Sequence, residues 1–231
     1  AAARYYHDAL FDDTEQYRGY LYLTDERGLS EETILQNKLG WSDGRLAQFL
    51  QREGFSPDEI KESRLVKING EDFFGKGAIV FPYMDRGRVT QIRGKYIGGK
   101  TISLPGVPSQ LYGSDSIVGE KTAFVVEGEL DRLVMQQLGF PAVGVPGANT
   151  WKPEWTTLLE ESKRVYVAYD NDNPGRAGAE KAAKEIGPKS RLVEVPINGG
   201  DISDFYLSGK TSDDINYLLS KARGGLLVTV E

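Results

Sequence analysis

The sequence predicts an α/β protein. Residues 1–120 read as an α+β amino-terminal lobe, helical and then β-rich, and residues 121–231 as a lobe with a parallel four-stranded sheet flanked by helices. Three observations carry this reading. Apolar residues recur at three-to-four spacing before residue 64, and short β-branched runs broken by Gly and Pro fill residues 66–119. From residue 122 onward, apolar runs of four or five residues alternate with longer helical patterns.

In the first stretch the helical period runs through Tyr17, Tyr20, Leu21 and Leu23, and again through Leu46, Phe49 and Leu50. Ser30 precedes the acidic turn Glu31–Glu32, and Ser56 precedes Pro57, so both predict helix starts. Gly28, Gly40 and Gly54 punctuate the ends. AIVFPYM (78–84) and RVTQI (88–92) read as strands, whereas LPGVPSQLYG (104–113) has no helical period. Beyond these, strand AFVV (123–126) precedes helix ELDRLVMQQLG (129–139), and AVGV (142–145) precedes a helix at 153–161. VYVAY (165–169) precedes RAGAEKAAKEIG (176–187), and RLVEV (191–195) closes the series. Such alternation indicates βαβ units, hence a parallel sheet covered on both faces.

Composition narrows the chemistry. The 231 residues carry 28 Lys+Arg against 34 Asp+Glu, one His and no Cys, for a net charge of -6. Without cysteine there is no disulfide scaffold, no Cys-ligated zinc or iron–sulfur site and no thiol catalysis. A single His, His7, removes His-rich metal centres and most Ser/His/Asp schemes, and it reads as structural. No apolar run approaches the roughly 20 residues of a membrane span, so no membrane partner is expected. The chain opens on Ala rather than Met, which predicts a piece of a longer protein.

The acids map onto the sheet. In open α/β sheets, ligands bind beyond the carboxyl ends of the strands. Glu127 directly follows AFVV, Asp170 directly follows VYVAY with Asp172 two residues on, and Asp201 lies a short loop after RLVEV. Asp131, four residues after Glu127, leans toward the same edge. Oxygen-only clusters of this kind suit Mg²⁺ or Mn²⁺, and clustered carboxylates repel one another until cations neutralise them.

These residues carry a family resemblance. Glu127-Gly128-Glu129-Leu130-Asp131, then Asp170-Asn171-Asp172 after an apolar strand, then Asp201-Ile-Ser-Asp204, resemble the Toprim fold. RGLSEETI (27–34), LGW (39–41), IVFPYMDRGRV (79–89), the Lys100–Pro105 stretch and LYG (111–113) resemble, in order, the RNA-polymerase core of DnaG-type bacterial and phage primases. The resemblance implies synthesis of short RNA primers from nucleoside triphosphates on single-stranded DNA, through an RNA–DNA hybrid. It assigns catalytic and metal-holding roles to Glu127, Asp170 and Asp172, with Asp131 and Asp201 assisting at the metal. It further implies a replicative helicase, fused or recruited, and a place in the cytoplasm of a bacterial cell or phage-infected host. The Cys-ligated zinc module that precedes this core in the family has no counterpart here, so no zinc is expected in this chain.

Two rival readings concern other residues. GKYIGGKT (94–101) fits the P-loop pattern letter for letter, but Pro105 and Pro108 break the helix that such a loop requires. Between Arg86 and Ser114 five basic residues (Arg86, Arg88, Arg93, Lys95, Lys100) meet no acid, a local patch suited to a phosphate backbone even on an acidic protein. By resemblance Lys95, Lys100 and Arg27 are candidates for holding the template, and Arg93 joins them from the same basic stretch. A Toprim nuclease, and a module that binds nucleic acid without synthesis, are the alternatives.

Overall fold

Helices open the chain as their spacing predicts: α1 (Ala2–Leu10), α2 (Tyr17–Leu21) running into a π-helical turn (Tyr22–Glu26), and α3 (Glu31–Gln36). The computed structural model describes residues 1–12 and 17–225. Ser30 caps α3 by accepting the Thr33 amide. After β1 (Gly40–Asp43) come α4 (Leu46–Arg52) and α5 (Pro57–Glu62), the latter started by a reciprocal Ser56–Glu59 capping box. The strand at 40–43 corrects the all-helical expectation for 1–64. Its four residues, Gly-Trp-Ser-Asp, are all buried, and so short a segment, half of it polar, carries neither a helical nor an alternating signal.

β2 (Lys76–Asp85), β3 (Arg88–Tyr96) and β4 (Thr101–Ser103) complete a four-stranded sheet in the order β1-β2-β3-β4. Tyr6, Leu46, Phe74, Val80 and Ile92 pack its core. The P-loop-like segment is the β3–β4 hairpin, with Lys95 opposite Thr101 and Gly94 opposite Ile102. No helix follows it, so no helix N-terminus is there to hold phosphate. His7 Nδ1 lies 2.7 Å from the Leu39 carbonyl oxygen, a structural role as expected.

The second sheet has the predicted βαβ pattern. β5 (Thr122–Glu127), α6 (Glu129–Gln137), β6 (Ala142–Val145), a 3-10 helix (Pro153–Leu159), β7 (Arg164–Ala168), α7 (Asn173–Ile186) and β8 (Ser190–Leu192) follow one another. α8 (Ile202–Leu207), α9 (Ser212–Ser220) and β9 (Arg223–Gly224) end the described chain. The strand order is β6-β5-β7-β8-β9. β5 to β8 are parallel, and β9 adds an antiparallel edge that four-strand alternation did not anticipate. The element at 153–161 is 3-10 rather than α, with Pro153 in its first turn. Val125, Val143, Val145, Val165 and Val167 form one face of the sheet, covered by Trp151, Trp155, Leu159 and the alanines of α7.

The chain divides into two compact units, Ala1–Tyr83 with Gly87–Pro108, and Met84–Arg86 with the residues from Ser109 on. The second takes in 109–120, which sequence assigned to the first lobe. Tyr112 bridges to Gly144 through paired backbone hydrogen bonds, and Leu111 and Ile117 enter the second core. Among the described residues, no helix is long and apolar enough to cross a membrane.

Candidate metal centre

Each acid reaches the carboxyl edge of the second sheet by its own route. Glu127 is the last residue of β5, and Gly128 turns the chain at φ +90°, a value that excludes most side chains, so that α6 can start at once. Asp131 then lies in the first turn of α6, 5% exposed. Asp170 follows β7 by two residues. Asp172 caps α7 by accepting the Gly175 amide at 2.7 Å, and a Cβ on Gly175 would overlap the Asp170 carbonyl, so this tight turn requires glycine. Asp201 caps α8 by accepting the Asp204 amide at 2.7 Å, while Asp204 reaches back to the Asp201 amide at 3.4 Å.

The tightest group among the described residues is Asp131, Asp170 and Asp201, each offering a carboxylate oxygen within 4.8 Å of the others. Sequence reasoning had put Glu127, Asp170 and Asp172 first and the other two in support. The structure brings Asp170 together with those two, while Glu127 and Asp172 act on it through their charge. Burial, then Glu127, Asp201, Asp172 and Asp204, push the Asp170 carboxyl up to about 7. Burial followed by the charges of Asp201 and Asp170 holds Asp131 well above the usual carboxylate range. Glu127 is raised first by burial, against the Ala148 amide that donates to its Oε1 at 2.9 Å. Its Oε2 is buried with no hydrogen-bond partner.

Ser203 is a residue that sequence reasoning missed. Both its amide and its hydroxyl donate to Asp131 Oδ1, each at 2.8 Å, leaving Oδ2 for the cluster. A serine in the first turn of a helix is too common to signal this in advance.

The facing carboxylates of Asp131, Asp170 and Asp201, with the raised pKa values of Asp131, Asp170 and Glu127, fit an oxygen-liganded divalent cation. Without a cation, the raised carboxyls relieve this crowding by taking up protons.

The basic candidates separate. Lys100 is exposed, and Lys95 is partly buried, its Nζ 3.3 Å from the Gly99 carbonyl. Arg27 donates to the Tyr22 hydroxyl at 2.8 Å with its guanidinium over that ring. Arg93 is a correction: it is 8% exposed, and its guanidinium donates to Ser103 Oγ at 2.9 Å and to the Tyr83 hydroxyl at 3.1 Å. It braces the first sheet from inside and has no surface to offer a phosphate. Tyr112 is buried, and the Tyr96 hydroxyl is engaged by the Phe74 carbonyl at 2.6 Å.

A parallel sheet whose strand ends present a Glu, an Asp-x-Asp turn and a later Asp defines a Toprim-type domain. Residues 124–206 match the family described as Toprim-like. The chain is 30% identical over 142 residues to the Gene 57 protein of Mycobacterium phage D29, covering 58% of this chain and 92% of that protein. It is 27% identical over 221 residues to the DNA primase of Helicobacter pylori, covering 86% of this chain and 39% of that primase. It therefore spans about two fifths of the bacterial enzyme's length. The RNA polymerase domain of Mycobacterium tuberculosis primase DnaG, solved with a double-stranded DNA oligomer bearing a 6-nucleotide overhang, superposes with a TM-score of 0.82. That match has 22% identity and covers 97% of this chain and 78% of that one. The chain belongs to the DnaG-type primase family, with a Toprim core.

Proposed function

We propose that this chain is the catalytic core of a primase that joins ribonucleoside triphosphates on a single-stranded DNA template by metal-dependent nucleotidyl transfer. The observation that carries the reading is the carboxylate group at the sheet edge: Asp131, Asp170 and Asp201 within 4.8 Å, with Glu127 and Asp172 beside them. Asp131, Asp170 and Asp201 would hold Mg²⁺ or Mn²⁺ with Glu127 and Asp172; of these five, Glu127, Asp170 and Asp172 are the ones the family resemblance marks as catalytic. A divalent ion held there supplies charge stabilisation at a phosphoryl oxygen and lowers the pKa of an attacking hydroxyl.

The protein residues do the positioning. The Ala148 amide fixes one Glu127 oxygen, Ser203 fixes one Asp131 oxygen, and the helix caps at Asp172 and Asp201 hold those side chains at the amino ends of α7 and α8. Aligned amides at those helix starts favour negative charge, which eases the crowding of acids and suits a triphosphate. Lys95, Lys100 and Arg27 are the proposed template contacts, salt-sensitive and sequence-independent. Arg93 is not among them.

Primer synthesis on single-stranded DNA with Mg²⁺ or Mn²⁺ tests the reading. Glu127→Gln and Asp170→Asn should each reduce incorporation by at least about 100-fold, the scale expected for lost metal ligands. Equal activity in wild type and variants overturns it. Strand cleavage without incorporation would assign the same centre to a nuclease.

A further inference from the structure

We propose that the Tyr169 hydroxyl is a positioning group for Glu127, supplying the hydrogen bond that Glu127 Oε2 lacks within the protein, across one water or by a small side-chain rotation. This rests on the metal-centre reading above and adds a residue to it. β5 and β7 pair in parallel with Val125 opposite Val167 and Val126 opposite Ala168, so the next step of the register sets Glu127 beside Tyr169. Side chains two apart on a strand share a face. Glu127 therefore continues the face of Val125, and Tyr169 that of Val167, the face under Trp151 and α7.

Both side chains end in an orphan. Among the described residues, Glu127 Oε2 and the Tyr169 hydroxyl are each buried with no partner at hydrogen-bond geometry, the Asp170 amide bearing on the Glu127 carboxylate more weakly than that of Ala148. One is an acceptor only and the other carries a donor proton, so they complement each other. Unpaired buried polar atoms are uncommon and costly, and two of them on neighbouring strands are most simply satisfied together. Tyr169 is 3% exposed, so bulk water does not serve its hydroxyl. As a filler beside Trp151 and Trp155, Phe would pack equally well and leave no polar atom to satisfy. The tyrosine at this position is explained by the acid next to it.

Calorimetric titration with Mn²⁺ tests the proposal on wild type, Tyr169→Phe, Glu127→Gln and the double variant. Tyr169→Phe should weaken Mn²⁺ binding about tenfold, the lower end for residues that orient a metal ligand. It should lower the thermal unfolding midpoint only by the small amount of one lost hydrogen bond, and cause no further weakening of Mn²⁺ binding in the Glu127→Gln background. Wild-type affinity in Tyr169→Phe, or the same weakening in both backgrounds, overturns the proposal. Wild-type protein that binds no Mn²⁺ overturns the metal-centre reading instead. A metal-free crystal structure then decides the contact: the hydroxyl in reach of Oε2, or of a water shared with it, supports the proposal, and separate partners for the two oxygens overturn it.

Discussion

The molecule buries acids in two places and treats them in opposite ways. In the first unit Asp72 is 1% exposed, yet it accepts from the Tyr6 hydroxyl at 2.8 Å, the Phe74 amide at 3.1 Å and the Ser42 hydroxyl at 3.1 Å. Asp43 nearby takes the Tyr5 hydroxyl at 2.7 Å and both the amide and Nε of Arg45. In the second unit Asp131, Asp170 and Asp201 face one another, the Asp170 carboxylate takes no protein donor among the described residues, and Glu127 Oε2 has none either. Burial alone therefore does not mark a functional acid. What separates the two groups is that the acids of the second face one another, and the donors they receive from Ser203, Asp204 and Ala148 leave Asp170 without one. Asp72 is a buttress tying α1, β1 and the approach to β2 together, while the second group fits a divalent cation.

The largest expected effect is in the first unit. Asp72→Ala strands the buried Tyr6 hydroxyl and the Phe74 amide, while the Ser42 hydroxyl keeps the Gly75 carbonyl, and should cost about 3 kcal/mol of stability by chemical denaturation. Asp170→Asn should do the reverse in metal-free protein and raise its unfolding midpoint, because it removes a charge from a crowded group. A loss of stability in that variant would erase the contrast between the two regions.

The pH dependence sharpens the same contrast. The Asp170 carboxyl titrates near 7 in the fold against an ordinary value of 3.8, so between those values the folded state binds more protons than the unfolded chain. Its contribution to stability is therefore present below pH 3.8 and is lost as pH rises toward 7. Thermal melts in EDTA at pH 4.5 and 7.5 should show a larger drop in wild type than in Asp170→Asn. Added Mg²⁺ should restore stability chiefly at the higher pH, where it no longer competes with protons.

Ser203→Ala is the smallest test. The amide donor to Asp131 remains and only the hydroxyl is lost, so stability should change by about 1 kcal/mol and Mn²⁺ affinity should weaken by roughly threefold to tenfold. Unchanged affinity would reduce Ser203 to a packing residue.

Much of the second unit was legible from sequence because its signals are local. Apolar runs alternate with helical patterns, and each acid that ends a strand sits one or two residues past a β-branched run. Which acids converge was not legible. Asp131 and Asp201 meet because α6 packs on α8, a contact between segments some 70 residues apart that leaves no periodic trace. Arg93 escaped for a related reason. Four consecutive residues of β3, from Gln91 to Gly94, are buried, so alternation cannot say which charges face inward. The strand at Gly40–Asp43 was hidden by its length, and the P-loop-like string was excluded by the two prolines after it rather than by its own letters.

The central claim is that the acids at the edge of the second sheet form a divalent-metal centre. A crystal soaked in Mn²⁺ and measured at the manganese absorption edge tests it most directly. The account predicts an anomalous peak between Asp131, Asp170 and Asp201 that disappears in Asp170→Asn. A soaked crystal with no peak there, with the three carboxylates sharing protons instead, would contradict it.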